Sequence, residues 1–240
     1  MSAKRKIVFV KVEGISDQTA LAAILSKVIK TEEVIVEFTN GDITTEKYTT
    51  PQNIVAKIGD IVKKYSLPYS YKATDYLEVI HIVDTDGAFI GDDRVLNDSS
   101  KRVYYESDYI KTENCDKIIL RNHQKAANIR RLISLSKVWN KTIPYSIYFF
   151  SCNLDHVLHN DANIHWEEKQ NRAAAFAKFY RRCPENFLEF IQNDKFAIKT
   201  SFSESWSYIE IDENSLKRYT NPNILFSVEA KNIKRTLIKV

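Results

Sequence analysis

Glycine, proline and cysteine are all scarce in this chain. Its 240 residues include only 5 glycines, 5 prolines and 3 cysteines, whereas average usage would give roughly 17 glycines and 12 prolines. This composition excludes collagen-like and low-complexity chains, and an aromatic content of 12% excludes a disordered one. The remaining glycines are expected where the backbone needs them. Three of these, Gly14, Gly87 and Gly91, stand beside acidic residues at the ends of apolar runs.

Long apolar runs and paired cysteines are also missing. No run approaches the ~18 residues of a transmembrane helix, and the first apolar run is too short for a secretory signal. Cys115, Cys152 and Cys183 are odd in number and form no CxxC, which argues against a zinc ribbon or a thioredoxin site and predicts reduced, buried thiols. We therefore expect a soluble cytoplasmic protein without a membrane partner. The net charge of +4 permits nucleic-acid binding but does not argue for it.

Short apolar runs alternate with amphipathic segments over the first 150 residues. The patterns predict strands at 7–12, 34–38, 77–83, 117–120 and 145–150, and helices at 16–30, 51–67 and 123–139. Such alternation is typical of βαβ units and a mainly parallel sheet. The polar stretch 89–114 is predicted to be a loop or hairpin insertion. We therefore expect an α/β catalytic domain over residues 1–150.

The pattern changes after residue 150. Helices are predicted at 154–159, 166–183 and 187–192, whereas the aromatic residues of SESWSYIEI, at 203–211, are predicted to pack in a strand. Residues 151–240 are thus expected to form a C-terminal, mostly helical and mixed region.

Acidic residues follow two of the predicted strands. Glu13 comes just after the first strand, and Asp84 and Asp86 come just after the third, in Asp-Thr-Asp-Gly. Ligands collect at the carboxyl ends of parallel strands, and an Asp-x-Asp on extended backbone turns both side chains to the same side. Converging carboxylates call for a hard divalent ion, Mg²⁺ or Mn²⁺, which can clamp a phosphate and activate a water. Gly14 and Gly87 would let a phosphate approach the backbone closely.

These two motifs together resemble the TOPRIM domain of topoisomerases, bacterial primases, small RNA-maturing nucleases and overcoming-lysogenization-defect nucleases. The chain has VEGISDQTAL and, about seventy positions later, VIHIVDTDG; in that family one strand ends in Glu-Gly and a later strand in Asp-x-Asp. The resemblance covers about residues 5–150 and implies a TOPRIM-like sheet flanked by helices. It implies that Glu13 is a general acid/base and metal ligand, that Asp84 and Asp86 are catalytic metal ligands, and that Asp17 fills a further acidic position of nuclease branches.

The departures from the pattern favour one branch of the family. Gly87 follows the second motif, as in the DxDG form of the overcoming-lysogenization-defect nucleases, yet the chain has no GxxxxGK[ST] phosphate loop. By analogy, it resembles stand-alone nuclease subunits of bacterial anti-phage defence, which work with a separate ATPase partner. The expected function is Mg²⁺- or Mn²⁺-dependent hydrolysis of DNA or RNA. The oligomeric state, the trigger of activity and the choice between one and two metals stay open.

Basic residues supply candidate phosphate contacts. Arg121, His123 and Lys125 follow the predicted strand 117–120, so that they can reach the same crevice and hold backbone phosphates of a nucleic acid. A second basic group is interleaved with aromatic residues on the predicted helix 166–183; its members are Lys169, Arg172, Lys178, Arg181 and Arg182. For both groups the alternative is a solvated helix face.

Several other interpretations remain. The chain fits a degenerate, non-enzymatic TOPRIM-like module that binds nucleic acid or a partner protein, and each motif alone fits an ordinary turn or helix cap. Asp84 within DTDG, with Gly91-Asp92-Asp93, also resembles a dehalogenase-type phosphatase, although the spacing is too short. His156 and His159 share a helix face and could bind a transition metal; alternatively, Asp155 or His156 completes the acidic crevice. No role is assigned to His165.

Overall fold

The computed structural model describes residues 5–226, which form an α/β fold. The strands are β1 Lys6–Lys11, β2 Val34–Thr39, β3 Tyr76–Asp84, β4 Val95–Asn97, β5 Tyr104–Tyr105, β6 Ile110–Thr112, β7 Lys137–Val138 and β8 Ile143–Phe150. The helices are α1 Ile15–Ile29, α2 Ile54–Ser66, α3 Cys115–Ile133, α4 Leu154–His159, α5 Trp166–Tyr180, α6 Pro184–Ile191 and α7 Phe202–Ile209. None of the helices described is both long and apolar enough to cross a membrane.

Five strands form the main sheet, in the order β2-β1-β3-β8-β7. The first four are parallel, and only β7 pairs antiparallel, with β8. The predicted mainly parallel sheet with flanking helices is confirmed. From β1 the chain moves to β2 on one side and then to β3 on the other, so the strand order reverses between β1 and β3. In open α/β sheets, this is the position where ligands bind, beyond the carboxyl ends of the strands.

Alternating side chains of β1 are buried on opposite faces of the sheet. Val8 and Val10 belong to the core on the side of α1, α5 and α6. Ile7 and Phe9 belong to the core on the side of α2, α3 and α7. A central strand that is apolar on both faces is what helices on both sides of a parallel sheet require.

Four sequence predictions were wrong in type or extent. Residues 117–120 lie inside α3, not in a strand, and α3 ends at Ile133 rather than at residue 139. The 203–211 segment contributes to helix α7, because Ser201 accepts from the amide of Glu204 and caps that helix. Pro51 lies in a turn before α2, which begins at Ile54.

The predicted insertion contains a small sheet of its own. Within residues 89–114, β4 pairs parallel with β6, and β5 pairs antiparallel with β6. Asn163, from the segment after α4, binds the backbone of Tyr105 twice: its Oδ1 accepts from the amide at 2.8 Å, and its Nδ2 donates to the carbonyl at 2.7 Å. The insertion is therefore joined to the C-terminal region.

The residues beyond 150 extend the same core. Phe176 and Phe187, from α5 and α6, are buried in one cluster with Val10 of β1, and Asn221 accepts a hydrogen bond from the amide of Phe149 in β8. The predicted helices there are present as α4, α5 and α6. The predicted boundary near residue 150 stays a prediction, and residues 227–240 of the second region lie outside the described residues.

The thiols are free but differ in burial. Cys152 is buried, Cys115 is partly exposed and Cys183 is exposed. The prediction of buried thiols therefore holds for Cys152 alone. Cys183 precedes α6 at a surface turn, where the sequence gives no apolar neighbours that would cover it.

Candidate functional site

Carboxylates from three strand ends meet at the switch point of the sheet. Glu13 follows β1, Asp42 follows β2, and Asp86 follows β3 by two residues. One oxygen from each of these three carboxylates lies within 4.8 Å of the others. Sequence analysis predicted Glu13 and Asp86 here, but it did not predict Asp42.

Lys125 of α3 lies among these three carboxylates. Its Nζ is 2.9 Å from Glu13 Oε2 and 3.6 Å from Asp42 Oδ2, and it also donates to Asp86 Oδ2. The side chain is 0% exposed. An ammonium buried this completely is tolerated only because carboxylates surround it.

The pKa values of this group follow from burial and from the central lysine. Burial alone would lower the pKa of Lys125, but Asp86, Glu13 and Asp42 hold it well above its usual value. Burial would raise the pKa of Asp86, but Lys125 and Arg121 bring it below its usual value. Asp42 is likewise held low, against its burial, by Lys125 and by hydroxyl hydrogen bonds from Thr44 and Thr45. Lys125, Asp86 and Asp42 are therefore all charged at neutral pH.

A second set of carboxylates continues the crevice toward α1 and α5. Asp84 Oδ1 accepts from the amide of Leu154 at 2.9 Å, and Asp17 Oδ2 accepts from the amide of Gly14 at 2.7 Å. Asp155 of α4 pairs with Lys169 of α5 at 2.8 Å. Lys169 also feels the charges of Asp84 and Asp17, so one lysine serves this second group.

Three of the crevice acids lack sufficient positive charge. Burial raises the pKa of Glu13 well above its usual value, with Lys125 opposing and Asp42 and Asp86 adding to the rise. Burial raises the pKa of Asp84 strongly, and Asp17, Glu13 and Asp86 raise it further. The pKa of Asp17 is raised by burial, although the Gly14 amide opposes this. Added positive charge at the crevice would lower the pKa of all three carboxyl groups.

The donor set suits a hard divalent cation. The Glu13 side chain is only 9% exposed, and its Oε1 is buried without any hydrogen-bond partner. Within residues 5–226, the group whose donor atoms lie within 4.8 Å of one another consists of three carboxylates, Glu13, Asp42 and Asp86. The carboxylates of Asp84, Asp17 and Asp155 interact electrostatically with one another or with this group in the adjoining part of the crevice. Oxygen-only donors are the ligands that Mg²⁺ and Mn²⁺ prefer. A cation here would bind in competition with Lys125.

The turn after β3 separates the two aspartates of the Asp-x-Asp motif. Asp84 is the last residue of the strand, whereas Asp86 has φ of +50°. Consequently Asp84 binds the start of α4, while Asp86 faces Lys125 and accepts from the Tyr105 hydroxyl at 3.1 Å. The sequence argument assumed an extended backbone through Asp86, and the structure differs there. Both carboxylates nevertheless lie close enough to Lys125 to interact with its charge.

The left-handed backbone at position 87 requires glycine, whereas Gly14 serves as the N-cap of α1. Gly14 is the N-cap of α1 with an extended conformation, and the Asp17 carboxylate accepts from its amide. The N-cap is therefore Gly14, and α1 begins at Ile15, one residue before the predicted start of the helix at residue 16. Gly87 has φ of +69°, and a Cβ there would lie 2.6 Å from Leu216 Cδ2.

Gly87→Ala is expected to lower the free energy of unfolding by about 2–3 kcal/mol, since it combines left-handed strain with an overpacked contact. Gly59→Ala is the matched control, because Gly59 lies within α2 and a Cβ there would meet nothing closer than 3.4 Å. That variant should be neutral or gain up to about 1 kcal/mol. Denaturant unfolding measures both. Equal stabilities for the two variants would contradict the assigned turn geometry.

The predicted nucleic-acid-binding residues all lie on α3 but differ in environment. Lys125 is buried among carboxylates and has no free surface for a phosphate. Arg121 donates to the Asp86 carbonyl at 2.9 Å and to the Tyr105 hydroxyl at 3.0 Å. His123 is 60% exposed and pairs with Asp92 at 2.8 Å. Only His123 of the three therefore presents its side chain mainly to solvent.

The histidines of the C-terminal region belong to no group of three or more metal-ligating side chains within residues 5–226. His159 Nε2 and His156 Nδ1 are buried without partners, and the His159 ring packs edge-on against Phe176. His165 is exposed beside Glu167. The sequence left open whether Asp155 or His156 adds to the acidic crevice. In the structure Asp155 lies there, where it pairs with Lys169.

Sequence reasoning missed Lys11 and Asp42 in the crevice region, and it named Lys169 only in the second basic group, as a candidate phosphate contact. Lys11 is buried at the end of β1 and donates to the Gly41 carbonyl. Asp42 follows the Asn40-Gly41 turn after β2, and a search of every strand end for acids would have found it. Lys169 lies on a helix that only the folded chain brings to Asp155.

Neither models of known protein families, nor curated proteins, nor solved structures show a significant match to this chain.

Proposed function

We propose that this protein is a Mg²⁺- or Mn²⁺-dependent phosphodiesterase that hydrolyses DNA or RNA, with a TOPRIM-like catalytic core. The observation that carries the proposal is the convergence of Glu13, Asp42 and Asp86 at the switch point of the sheet, with Glu13 Oε1 buried and unpartnered among them. An electron-rich pocket of this kind, short of positive charge, suits a divalent cation and the phosphate that the cation attracts.

The side chains divide into ligands and a proton carrier. Asp42 and Asp86, whose oxygens lie within 4.8 Å of each other, would hold the cation together with Asp84 and Asp17. When bound, the cation would supply charge stabilisation at the phosphate and a lowered pKa for an attacking water. Glu13 accepts or donates the proton. Its pKa is raised by burial, which moves it toward the range in which a carboxyl group is an efficient general acid/base at neutral pH.

Residues of α3 orient the site. Arg121 fixes the backbone of Asp86 and the hydroxyl of Tyr105, so it aligns a ligand carboxylate rather than contacting solvent. His123, with its exposed ring, remains available to a nucleic-acid phosphate. The further proposal that the chain is an effector of anti-phage defence, working with a separate ATPase, rests on the resemblance to stand-alone TOPRIM nucleases.

Metal binding and cleavage test the proposal together. Mn²⁺ should raise the melting temperature of the wild-type protein and support cleavage of plasmid DNA or tRNA. Asp84→Asn should lose both effects, since it removes a ligand charge while its Oδ1 can still accept from Leu154. Asp93→Asn is the control, because Asp93 is an exposed acid paired with Arg94. Retention of both effects in Asp84→Asn would overturn the proposal.

A second candidate is a non-enzymatic module that binds nucleic acid or a partner protein. The observation that favours it is Lys125, which already neutralises part of the carboxylate cluster without any metal. Such a module should show no melting shift with Mn²⁺ and no cleavage, while wild type and Asp84→Asn bind nucleic acid equally well. The same experiment therefore separates the two functions.

A further inference from the structure

A polar cavity lies beside the acidic crevice. It has a volume of about 340 Å³ and lies between the β5 region and the end of α4, with walls from Tyr104, Tyr105, His156, Asn160, Lys217 and Arg218. Pockets for small ligands have volumes of about 300–1,000 Å³. The cavity is therefore large enough for a small planar ligand.

The walls of the cavity are held in place by specific contacts. Asn163 fixes the backbone of Tyr105 through two hydrogen bonds. Arg218 donates from Nε and Nη2 to the carbonyl of Val157, and its guanidinium lies 4.5 Å from the Phe196 ring centroid. A cavity with walls fixed in this way needs little reorganisation on binding.

Two cations of the cavity wall lack a carboxylate partner. The acids of the wall are already paired, since Glu106 pairs with Lys111 and Asp161 pairs with Arg172, and neither of these cations lines the cavity. Lys217 and Arg218, in contrast, have no carboxylate partner within residues 5–226. The wall therefore carries uncompensated positive charge, which favours a ligand that is part of a negatively charged nucleotide.

The remaining features of the wall suit a heteroaromatic ring. Two tyrosines border the cavity, and aromatic side chains bind nucleobases by stacking. His156 keeps a nitrogen, Nδ1, without a hydrogen-bond partner. Burial lowers the pKa of His156 to about 4, so that the ring is neutral and can either donate or accept.

Tyr105 connects the cavity with the crevice. It borders the cavity, and its hydroxyl donates to Asp86 Oδ1 at 3.1 Å. A nucleotide with its base in the cavity would thus have its sugar and phosphate directed along Tyr105 toward the carboxylates. No other cavity feature is needed for this path.

We propose that this cavity binds one nucleobase of the nucleic acid, next to the phosphate that occupies the acidic crevice. The proposal rests on the proposed function for the role of the crevice, and it adds a base-binding subsite to it. Tyr104 and Tyr105 provide the aromatic wall, and His156 and Asn160 provide hydrogen-bonding groups to the base edge.

Binding of nucleoside monophosphates to the metal-free protein tests this subsite. In EDTA, calorimetric titration with AMP, CMP, GMP and UMP should show binding of at least one of them, and ribose 5-phosphate should bind more weakly. Tyr104→Ala should weaken this binding about 5- to 150-fold, as expected from the loss of base stacking. His156→Phe keeps a ring of similar size and should also weaken it, with a changed preference among the four bases.

Tyr48→Ala is the matched control. Tyr48 is 76% exposed outside the cavity wall, and its ring, like that of Tyr104, lies 4.8 Å from the ammonium of a lysine before it in the chain. The control should bind like wild type, and equal melting temperatures establish that all variants are folded. The proposal is overturned if no nucleotide binds at about 5 mM, if ribose 5-phosphate binds as well as the best nucleotide, or if Tyr104→Ala and His156→Phe bind like wild type.

Two further outcomes identify the ligand and separate the proposals. A trinucleotide that binds more tightly than the monophosphate and is displaced by it supports a base within a polymer, whereas equal affinities support a free nucleotide in the same pocket. Base binding without any metal-dependent cleavage would leave the pocket in place and reject the phosphodiesterase. Cleavage without base binding would reject the pocket alone.

Discussion

Lys125→Met is expected to lower the free energy of unfolding by about 3–5 kcal/mol at neutral pH, the usual effect of removing one partner from a buried ion pair. Lys125 is the shared cation of Glu13, Asp42 and Asp86, and methionine leaves their charges without a counter-ion. Methionine keeps the length of the side chain, so the loss reports on charge more than on packing. Denaturant unfolding measures the change.

The stability that Lys125→Met loses should depend on pH in a definite direction. In the wild type, the low pKa of Asp86 stabilises the fold above the unfolded pKa, and this contribution disappears as the pH falls through the folded pKa. In Lys125→Met, the same carboxylate is buried without a cation, so its pKa rises and its charge destabilises the fold. The difference in free energy of unfolding between the wild type and Lys125→Met should therefore be greatest near pH 7 and should shrink as the pH falls toward 4.

Lys169→Met provides the comparison for Lys125→Met. Lys169 is partly exposed and pairs with one acid, Asp155. Lys169→Met should therefore lower the free energy of unfolding by less than Lys125→Met does. Mn²⁺ should restore part of the stability of Lys125→Met, because a bound cation replaces the missing ammonium. If Lys125→Met unfolds with the same free energy as the wild type, Lys125 is not the counter-ion of the crevice.

Glu13→Gln is expected to reduce cleavage by about 10²–10⁴-fold, the usual contribution of general acid/base catalysis. The stability of the variant should stay within about 1 kcal/mol of the wild type, because glutamine has the same shape and its oxygen can still accept from Lys125. The measurement is the rate of plasmid or tRNA cleavage in Mn²⁺, with unfolding followed in parallel.

Glu46→Gln is the control for Glu13→Gln. Glu46 is an exposed acid that pairs with Lys57 outside the buried cluster, and its substitution should leave the cleavage rate unchanged. Cleavage at the wild-type rate by Glu13→Gln, or by a variant lacking both Glu13 and Asp86, would show that these residues are not the catalytic machinery.

The strand ends of the site were predictable, but the helix that closes it was not. Apolar runs followed directly by Glu13 and by Asp84 mark two carboxyl ends in any parallel sheet. The α3 helix is harder, because three of its buried positions are polar: Asn122, Lys125 and Asn128. These residues interrupt the helical period of apolar residues, so the short run at 117–120 resembled a strand.

The strand predicted at 203–211 was wrong for a related reason, since part of this segment forms α7. SESWSYIEI alternates polar and apolar residues, which is the period of a strand. The buried apolar residues, however, are Trp206 and Ile209, which are three positions apart and share one helix face. The Ser201 and Glu204 pair was a capping-box signal that outweighs the alternation. Lys169 reaches Asp155 through a tertiary contact, which no local pattern specifies.

If the proposed base and cation both bind, the shared position of Tyr105 would link the cavity and the crevice thermodynamically. Its ring borders one, and its hydroxyl bonds to Asp86 in the other. A base that shifts this tyrosine changes the affinity for the divalent cation, and linkage requires the cation to change the affinity for the base by the same factor. Such reciprocity would favour binding of both ligands only when nucleic acid and metal are present together.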